Sequence, residues 1–323
     1  MNRPSEKFIK RLIAYYKTHH DNDCLTIWGS VCKPLCKLLE DGDVEAIHNK
    51  LNNMYVDELW GVDHTTANFE GLISDDVVFD NCLKVISSNL NIRNELREKT
   101  VEEIENITGM QMDIPLFSKR PVIHVGNRNI PLRFVICYYI LHRLRNNLKT
   151  KPYNALEIGA GVGYIPYLFI RHYPHIKYYI IDLTAMSVMQ TYIYATMVGE
   201  DNIWFHGEPK SDTTSLHIYS PDSINELNEQ MSVVISHNSF VEFPQHVQSI
   251  YLNKMKQILK PDGFFYSINW EPHGAAGQTS VIEACNSNGF TRTYRKTFFL
   301  ESQMHPDPSI PYFEEIYKPI KKE

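Results

Sequence analysis

The stretch LEIGAGVGY, residues 156–164, decides how the rest of this 323-residue chain is read. A short apolar run, YNALEI (153–158), leads into three glycines on alternate positions, and helical periodicity begins directly after them. Gly159, Gly161 and Gly163 let the chain turn sharply from strand to helix and let a ligand approach backbone where a Cβ would clash. Nineteen residues beyond Gly163, a second apolar run, KYYIIDL (177–183), closes on Asp182 and Leu183. An acid there faces the same crevice and accepts hydrogen bonds from both hydroxyls of a ribose. Open parallel sheets bind ligands at the carboxyl ends of their strands, so glycines, helix start and acid mark a place for an adenosine-containing cofactor.

The same texture continues downstream. Apolar runs NIWFH (202–206), MSVVIS (231–236) and GFFYSINW (263–270) alternate with helix-like segments at about 164–173, 184–198, 244–259 and 277–288. Strands alternating with helices predict a parallel sheet with right-handed crossovers. After the fifth run the alternation stops. TRTYRKTFFL (291–300) and FEEIYKP (313–319) predict an antiparallel pair at one edge, joined by the Pro-bearing MHPDPSIP. Residues 1–148 differ, with apolar positions three and four apart, as in Phe8, Leu12, Tyr15 and Tyr16, or Val44, Ile47, Leu51 and Met54. That spacing predicts amphipathic helices, with two more at Asp80 to Leu96 and Leu132 to Leu148. The stretch from Pro115 to Pro131 reads as an irregular connector. The expected architecture is a Rossmann-like α/β domain, 149–323, with a mostly parallel sheet and an antiparallel edge, behind a helical N-terminal domain, 1–148.

Composition narrows the function classes. Hydrophobic residues make up 43% and charged residues 22%, ordinary for a globular chain with a sizeable core. A formal charge of −6 argues against a broad electrostatic grip on nucleic acid. The longest apolar run, Phe134 to Leu141, is far short of the roughly twenty residues a bilayer span needs. The N-terminal segment carries scattered charges and no apolar core of the secretory kind. Six cysteines without a small-domain framework read as reduced thiols, so a cytoplasmic location is expected.

The glycine spacing also bears on the cofactor. Dinucleotide binders space them G-x-G-x-x-G and set a pyrophosphate over the helix start. Here the spacing is G-x-G-x-G, and Glu157 stands two positions before the first glycine. A carboxylate beside the site disfavours a pyrophosphate and suits a sulfonium and an α-ammonium group. The residues favour S-adenosylmethionine, leaving S-adenosylhomocysteine as product, over a nicotinamide dinucleotide.

E-x-G-x-G-x-G after the first strand and an acid ending the second resemble class I S-adenosylmethionine-dependent methyltransferases over about residues 150–323. The resemblance implies that Glu157, Gly159, Gly161 and Gly163, with Ala160 and Tyr164 in the same loop, line the methionyl and ribose portions. It implies that Asp182 binds ribose, and that Leu183, His206, Gly207 and Ser236 lie near adenine or the sulfonium. A narrower similarity, to sugar O-methyltransferases of bacterial surface-polysaccharide clusters, rests on Ser239-Phe240-Val241-Glu242 and Tyr266-Ser267-Ile268-Asn269. Phe243 and Trp270 depart from that group, which tends to carry methionine and arginine there. The narrower similarity implies a sugar or sugar-nucleotide hydroxyl as acceptor, in surface-glycan or glycosylated natural-product biosynthesis.

Methyl transfer is an in-line displacement that needs the nucleophile aligned and its proton removed. Beyond the fourth run lies Ser236-His237-Asn238-Ser239-Phe240-Val241-Glu242. His237 is the candidate base, since histidine titrates near neutral pH. Glu242 is the candidate to orient it, replace it or bind acceptor hydroxyls; capping a helix start is its bland alternative. The Asp/Asn-Pro-Pro-Tyr/Phe box of amine-methylating relatives is absent, which tilts the acceptor atom towards oxygen. Asn238, Asn269 and Glu271 make a weak ligand set for a hard cation, so no metal is expected. Cys24, Cys32 and Cys36 have spacings that match no zinc pair, and Leu35 and Leu38 mark an apolar helix face. The N-terminal half is expected to serve as lid and acceptor wall, with Tyr138, Tyr139, Trp270 and His273 as aromatic candidates, or to mediate homodimerisation. A nicotinamide-dependent reductase, another N- or phenolic O-acceptor, and a non-catalytic cofactor-binding subunit are the competing alternatives.

Overall fold

A computed structural model describes residues 3–19, 27–53, 94–112, 123–125, 128–130, 132–148, 154–161, 163–210, 213–271, 280–298 and 311–320. Its centre is an eight-stranded sheet with spatial order β5-β6-β4-β3-β7-β8-β10-β9. In chain order these strands are β3 (Asn154–Ile158), β4 (Lys177–Ile181), β5 (Ile203–Phe205), β6 (Leu216–Tyr219), β7 (Met231–His237), β8 (Leu259–Trp270), β9 (Phe290–Thr297) and β10 (Tyr312–Pro319). Every pairing from β5 to β8 is parallel, whereas β10 runs antiparallel to both β8 and β9. The chain winds outward from β3 to β4, then returns to place β7 on the other side of β3. The direction of winding therefore reverses between β3 and β7, and the carboxyl ends of these strands form the crevice of such sheets.

The parallel strands are apolar on both faces because both faces are covered. Ala155, Tyr178, Ile180, Val233, Ile235, Tyr266 and Ile268 belong to one core. Leu156, Ile158, Tyr179, Ile181, Val234 and Phe265 belong to the other, with α8 (Gln245–Ile258) and α9 (Val281–Ser287) over it. On the first face lie α5 (Leu132–Asn147), α6 (Tyr164–His172) and α7 (Thr184–Val198). β8 carries one irregularity, opposite Met231–Val233. There a Cβ at position 263 would stand 3.0 Å from the Met231 carbonyl oxygen, a tight contact that glycine avoids.

The N-terminal half supplies α1 (Glu6–His19), α2 (Ile27–Asp41), α3 (Val44–Asn52) and α4 (Asn94–Thr108). The apolar stripe of α1, Phe8, Leu12, Tyr15 and Tyr16, is buried as its spacing predicts, and it packs towards α7 and Phe205. Arg11 clamps this join, bonding Glu208 at 2.8 Å and the Ile203 carbonyl at 3.0 Å while its guanidinium covers Phe205. Ile47 and Leu51 of α3 are likewise buried. These helices and the sheet share one continuous core.

The structure adds two elements to the sequence reading. The run LHIY forms β6, between β4 and β5, so NIWFH is not the strand beside the acid strand. Four residues with a histidine among them give too short an apolar signal. A two-stranded antiparallel ladder, β1 (Ile123–Val125) and β2 (Arg128–Ile130), lies within the supposed connector. The helix expected at Asp80 to Leu96 falls almost wholly outside the described residues, and α4 runs on to Thr108. Val101 and Ile104 carry its buried face.

One buried polar knot ties α5 to the sheet edge. Glu314 of β10 is fully buried and accepts from Tyr139 at 2.8 Å, Arg143 at 2.9 Å and Tyr266 at 3.0 Å. Burial, reinforced by the Glu314 charge, pushes both tyrosine hydroxyls up, so they remain donors. Glu314→Ala would leave two hydroxyls and a guanidinium without their acceptor. We expect it to destabilise the fold by about 3 kcal/mol or more, measured by urea unfolding.

Candidate cofactor site at the strand ends

Glycine conformation builds the site. Gly159, Gly161 and Gly163 all have positive φ, at +73°, +56° and +78°, a region that costs an L-residue roughly 1 kcal/mol or more. The Gly159 amide still bonds the Ile181 carbonyl at 2.9 Å, and the Gly163 amide bonds that of Ala160 at 2.9 Å. The β3–β4 ladder thus continues into the turn before Tyr164 starts α6. The glycines differ in what surrounds them. A Cβ at Gly161 would meet nothing within 4 Å. A Cβ at Gly159 would fall 2.3 Å from Cβ of Ser239. The close approach at Gly159 is therefore made by a side chain of this chain, and Gly161 is where the backbone stands open.

Strand parity sorts the candidates. Glu157 shares its sheet face with Ala155, and Ile235 lies opposite it on β7. His237, two residues beyond Ile235, falls on that face, as does the position of Asp182 two residues after Ile180. Glu157, Asp182 and His237 accordingly fall near the strand ends on the face that α5, α6 and α7 cover. Ser236 falls on the opposite face with Val234. Its buried hydroxyl contacts Ser239 Oγ at 2.9 Å and accepts from the Phe240 amide at 3.1 Å. Glu242 is exposed in a single 3₁₀ turn, Phe240–Glu242.

The two acids are held differently. Glu157 is 1% exposed and accepts one bond, from the Tyr178 hydroxyl at 2.8 Å. Burial raises its carboxyl to about 8; the Tyr178 bond opposes this and nearby Asp182 adds to it. Asp182 is half-buried. Its Oδ1 accepts from the Leu183 amide at 2.8 Å, and its Oδ2 accepts from the Gly161 amide at 3.1 Å and from the Gln190 side chain. Asp182 thereby also closes the glycine turn.

The remaining candidates spread along the edge. Ala160 and Leu183 are half-buried against the core, and Tyr164 is buried at the start of α6. His206 lies beyond β5, two strands from β4, with its ring 5.0 Å from that of Tyr219 and Nε2 3.1 Å from Glu226. Gly207 is exposed, with φ +94° and open space around it. Tyr139 is packed in the core, as is Tyr138; His273 and Cys24 lie outside the described residues. Among the described residues, no group of three or more His, Cys, Asp or Glu is placed to hold a metal ion.

Sequence reasoning passed over Ser220 and Gln190 and read Asn238 only as a weak cation ligand. The strand beside the acid strand is β6, with Tyr219 opposite Ile181, so Ser220 follows it at the level of Asp182. Asn238 has φ 59°, and its side-chain oxygen is buried without a partner. Gln190, 1% exposed, touches Asp182; the available signal is a single amide within the uncharged TAMSVMQTYIYATMV.

No family model and no curated protein sequence matches the chain. Several solved structures of low identity are similar to part of the chain. A Galdieria sulphuraria protein assigned as a sarcosine dimethylglycine methyltransferase is 10% identical, covering 59% of this chain and 88% of that one, with TM-score 0.45. The CcbJ methyltransferase of Streptomyces caelestis is 12% identical, covering 55% and 88%, with TM-score 0.41. The O-methyltransferase of a trans-AT PKS multienzyme of Brevibacillus brevis, solved with S-adenosyl-L-homocysteine, is 14% identical, covering 55% and 71%, with TM-score 0.41. Among the described residues, no helix is long and apolar enough to cross a membrane.

Two predictions follow from the packing. Gly159→Ala forces a clash with Ser239 and is expected to cost about 2–3 kcal/mol of folding stability. Gly161→Ala is expected to cost about 1 kcal/mol, the left-handed penalty alone; chemical denaturation of the two variants checks the order. Glu157 gives a pH dependence. A carboxyl raised in the folded state contributes stability that is complete below the ordinary carboxyl range and is lost as pH rises through about 8. Glu157→Gln should flatten that decline, read as melting temperature against pH.

Proposed function

We propose that this chain is an S-adenosylmethionine-dependent methyltransferase acting on a small-molecule hydroxyl. One arrangement carries the reading: a buried carboxyl, Glu157, beneath an open glycine backbone at Gly161, with a second acid, Asp182, one strand away. These residues fit the group on grounds of chemistry. A desolvated carboxyl that retains its proton when alone gains most from a neighbouring cation. A sulfonium donor with an α-ammonium group supplies that charge, whereas a pyrophosphate would add repulsion. The Gly161 backbone would face the methionyl portion and Asp182 the ribose. When bound, the cofactor supplies an electrophilic methyl carbon.

What the chain's own residues do follows from their places. His237, on the same face as Glu157 and at the end of the neighbouring strand, removes the acceptor's proton as the new bond to carbon forms. Asn238 offers an unpartnered carbonyl oxygen beside it, suited to hold the hydrogen of the accepting group. The same oxygen would hold an amine N–H, which makes an amine acceptor the second reading. α1 brings the N-terminal half to this edge: the Thr184 hydroxyl bonds the His19 carbonyl at 3.0 Å, just past Asp182.

The sugar acceptor rests on the motif similarity. Tyr266 is bonded to Glu314, and the Asn269 side chain bonds Ser267 at 2.8 Å and the Ser236 carbonyl at 3.4 Å. Their role is to hold the ends of β7 and β8 in place. Recognition of sugar hydroxyls is left to the residues around His237 and Asn238.

Titration calorimetry with S-adenosylhomocysteine is expected to show one saturable site. No heat and an unchanged melting temperature would overturn the reading. Once a methyl-accepting glycan precursor is found, His237→Ala should lower kcat at least about tenfold, since positioned bases contribute roughly 10²–10⁴. A smaller drop removes His237 from that role.

A further inference from the structure

Gln190 sits in α7 where nothing about the helix calls for an amide. Every residue from Thr184 to Ala195 is buried, no residue of the helix is charged, and the Thr191 and Thr196 hydroxyls are bonded to carbonyls of the helix itself. At such a position leucine or methionine would carry no desolvation cost. Gln190 is 1% exposed, its Nε2 donates to Asp182 Oδ2, and its Oε1 is buried with no partner. An unmet buried carbonyl is a cost to the folded state that an apolar side chain would avoid. The side chain also has little room to retreat. Its Cβ and Cγ lie 3.5 and 3.7 Å from where a Gly163 Cβ would stand, which places it directly against the end of the glycine turn.

Asp182 cannot take a vicinal diol alone without giving something up. Its Oδ2 already serves the Gly161 amide and Gln190, and its Oδ1 serves the Leu183 amide. A carboxylate oxygen has about two acceptor positions. Oδ2 is therefore full, and one hydroxyl of a diol needs an acceptor elsewhere. The carbonyl end of the Gln190 amide belongs to the same bonded unit and has its acceptor capacity unspent.

We infer that Gln190 is a second binding residue for the diol of the nucleoside: its nitrogen fixes the Asp182 carboxylate, and its Oε1 accepts one of the two hydroxyls. The inference rests on the reading that a ribose-bearing methyl donor occupies this edge. It adds a specificity determinant, since a ligand lacking that hydroxyl leaves the Gln190 carbonyl orphaned.

The test compares S-adenosylhomocysteine with its 2′-deoxy and 3′-deoxy analogues by titration calorimetry, on the wild-type chain and on Gln190→Met and Gln190→Leu. In the wild type, one deoxy analogue is expected to bind about tenfold more weakly, the worth of one buried hydrogen bond. In the variants S-adenosylhomocysteine should weaken about tenfold, and discrimination at that hydroxyl should shrink to within about twofold. A merely structural Gln190 would weaken all three ligands alike. Variants that keep the wild-type ratio at both hydroxyls would therefore sink the inference while leaving the methyl-donor reading intact. If the wild type binds none of the three, that reading falls and the inference falls with it. If neither variant shows cooperative unfolding, a crystal structure of the wild type with S-adenosylhomocysteine decides. A ribose oxygen within about 3.2 Å of Gln190 Oε1 is expected, and none within about 4 Å refutes the proposal.

Discussion

Helix α7 has no solvent side. Its residues from Thr184 to Ala195 are buried without interruption, so the helix needs apolar cover both towards the sheet and away from it. The sheet supplies one cover and the N-terminal helices the other. The stripe of α1, the buried positions of α3 and the Cys32–Met186 contact at 3.8 Å are spent on this task. The two halves of the chain, so different in texture, are in this way joined in one core. The joint also frames the strand ends, because α7 begins directly after Asp182 and carries Gln190 back against the glycine turn.

Electrostatics at that edge are asymmetric. Asp182 is surrounded by donors and is fixed in direction by them. Glu157 has one hydroxyl for company and is otherwise desolvated. Two acids close enough to influence one another, one solvated by amides and one by almost nothing, make a place where positive charge is welcome and a proton substitutes for it. Among the described residues, no side-chain cation is bonded to Glu157.

Much of this was legible in the amino-acid order. Short apolar runs and period-3.6 patterns located β3, β4, β7 and helices α6, α7 and α8 to within two residues, since buried parallel strands and crossover helices are written in apolar residues. β8 starts four residues before the expected run, and α9 four residues after its expected start. The antiparallel edge was legible from the break in alternation after β8. Three things were hidden. β6 is four residues long and contains His217, whose ring stacks on Tyr179 at 4.7 Å and whose Nε2 bonds the Thr214 carbonyl; hydropathy alone reads that histidine as polar. The seat of Ser239 on Gly159 joins residues eighty positions apart, which local patterning cannot show. The role of Gln190 depends on which face of α7 meets Asp182, a matter of rotation that emerges only when the helix is docked.

The contact between Ser239 and Gly159 has a mechanical side. Ser239 also donates to the Ile158 carbonyl at 2.6 Å, so the segment after β7 is keyed into the end of β3 by shape and by hydrogen bond together. The end of β3 and the segment after β7 are thus joined by direct contact. Strain introduced at either one is felt at the other without any intermediary.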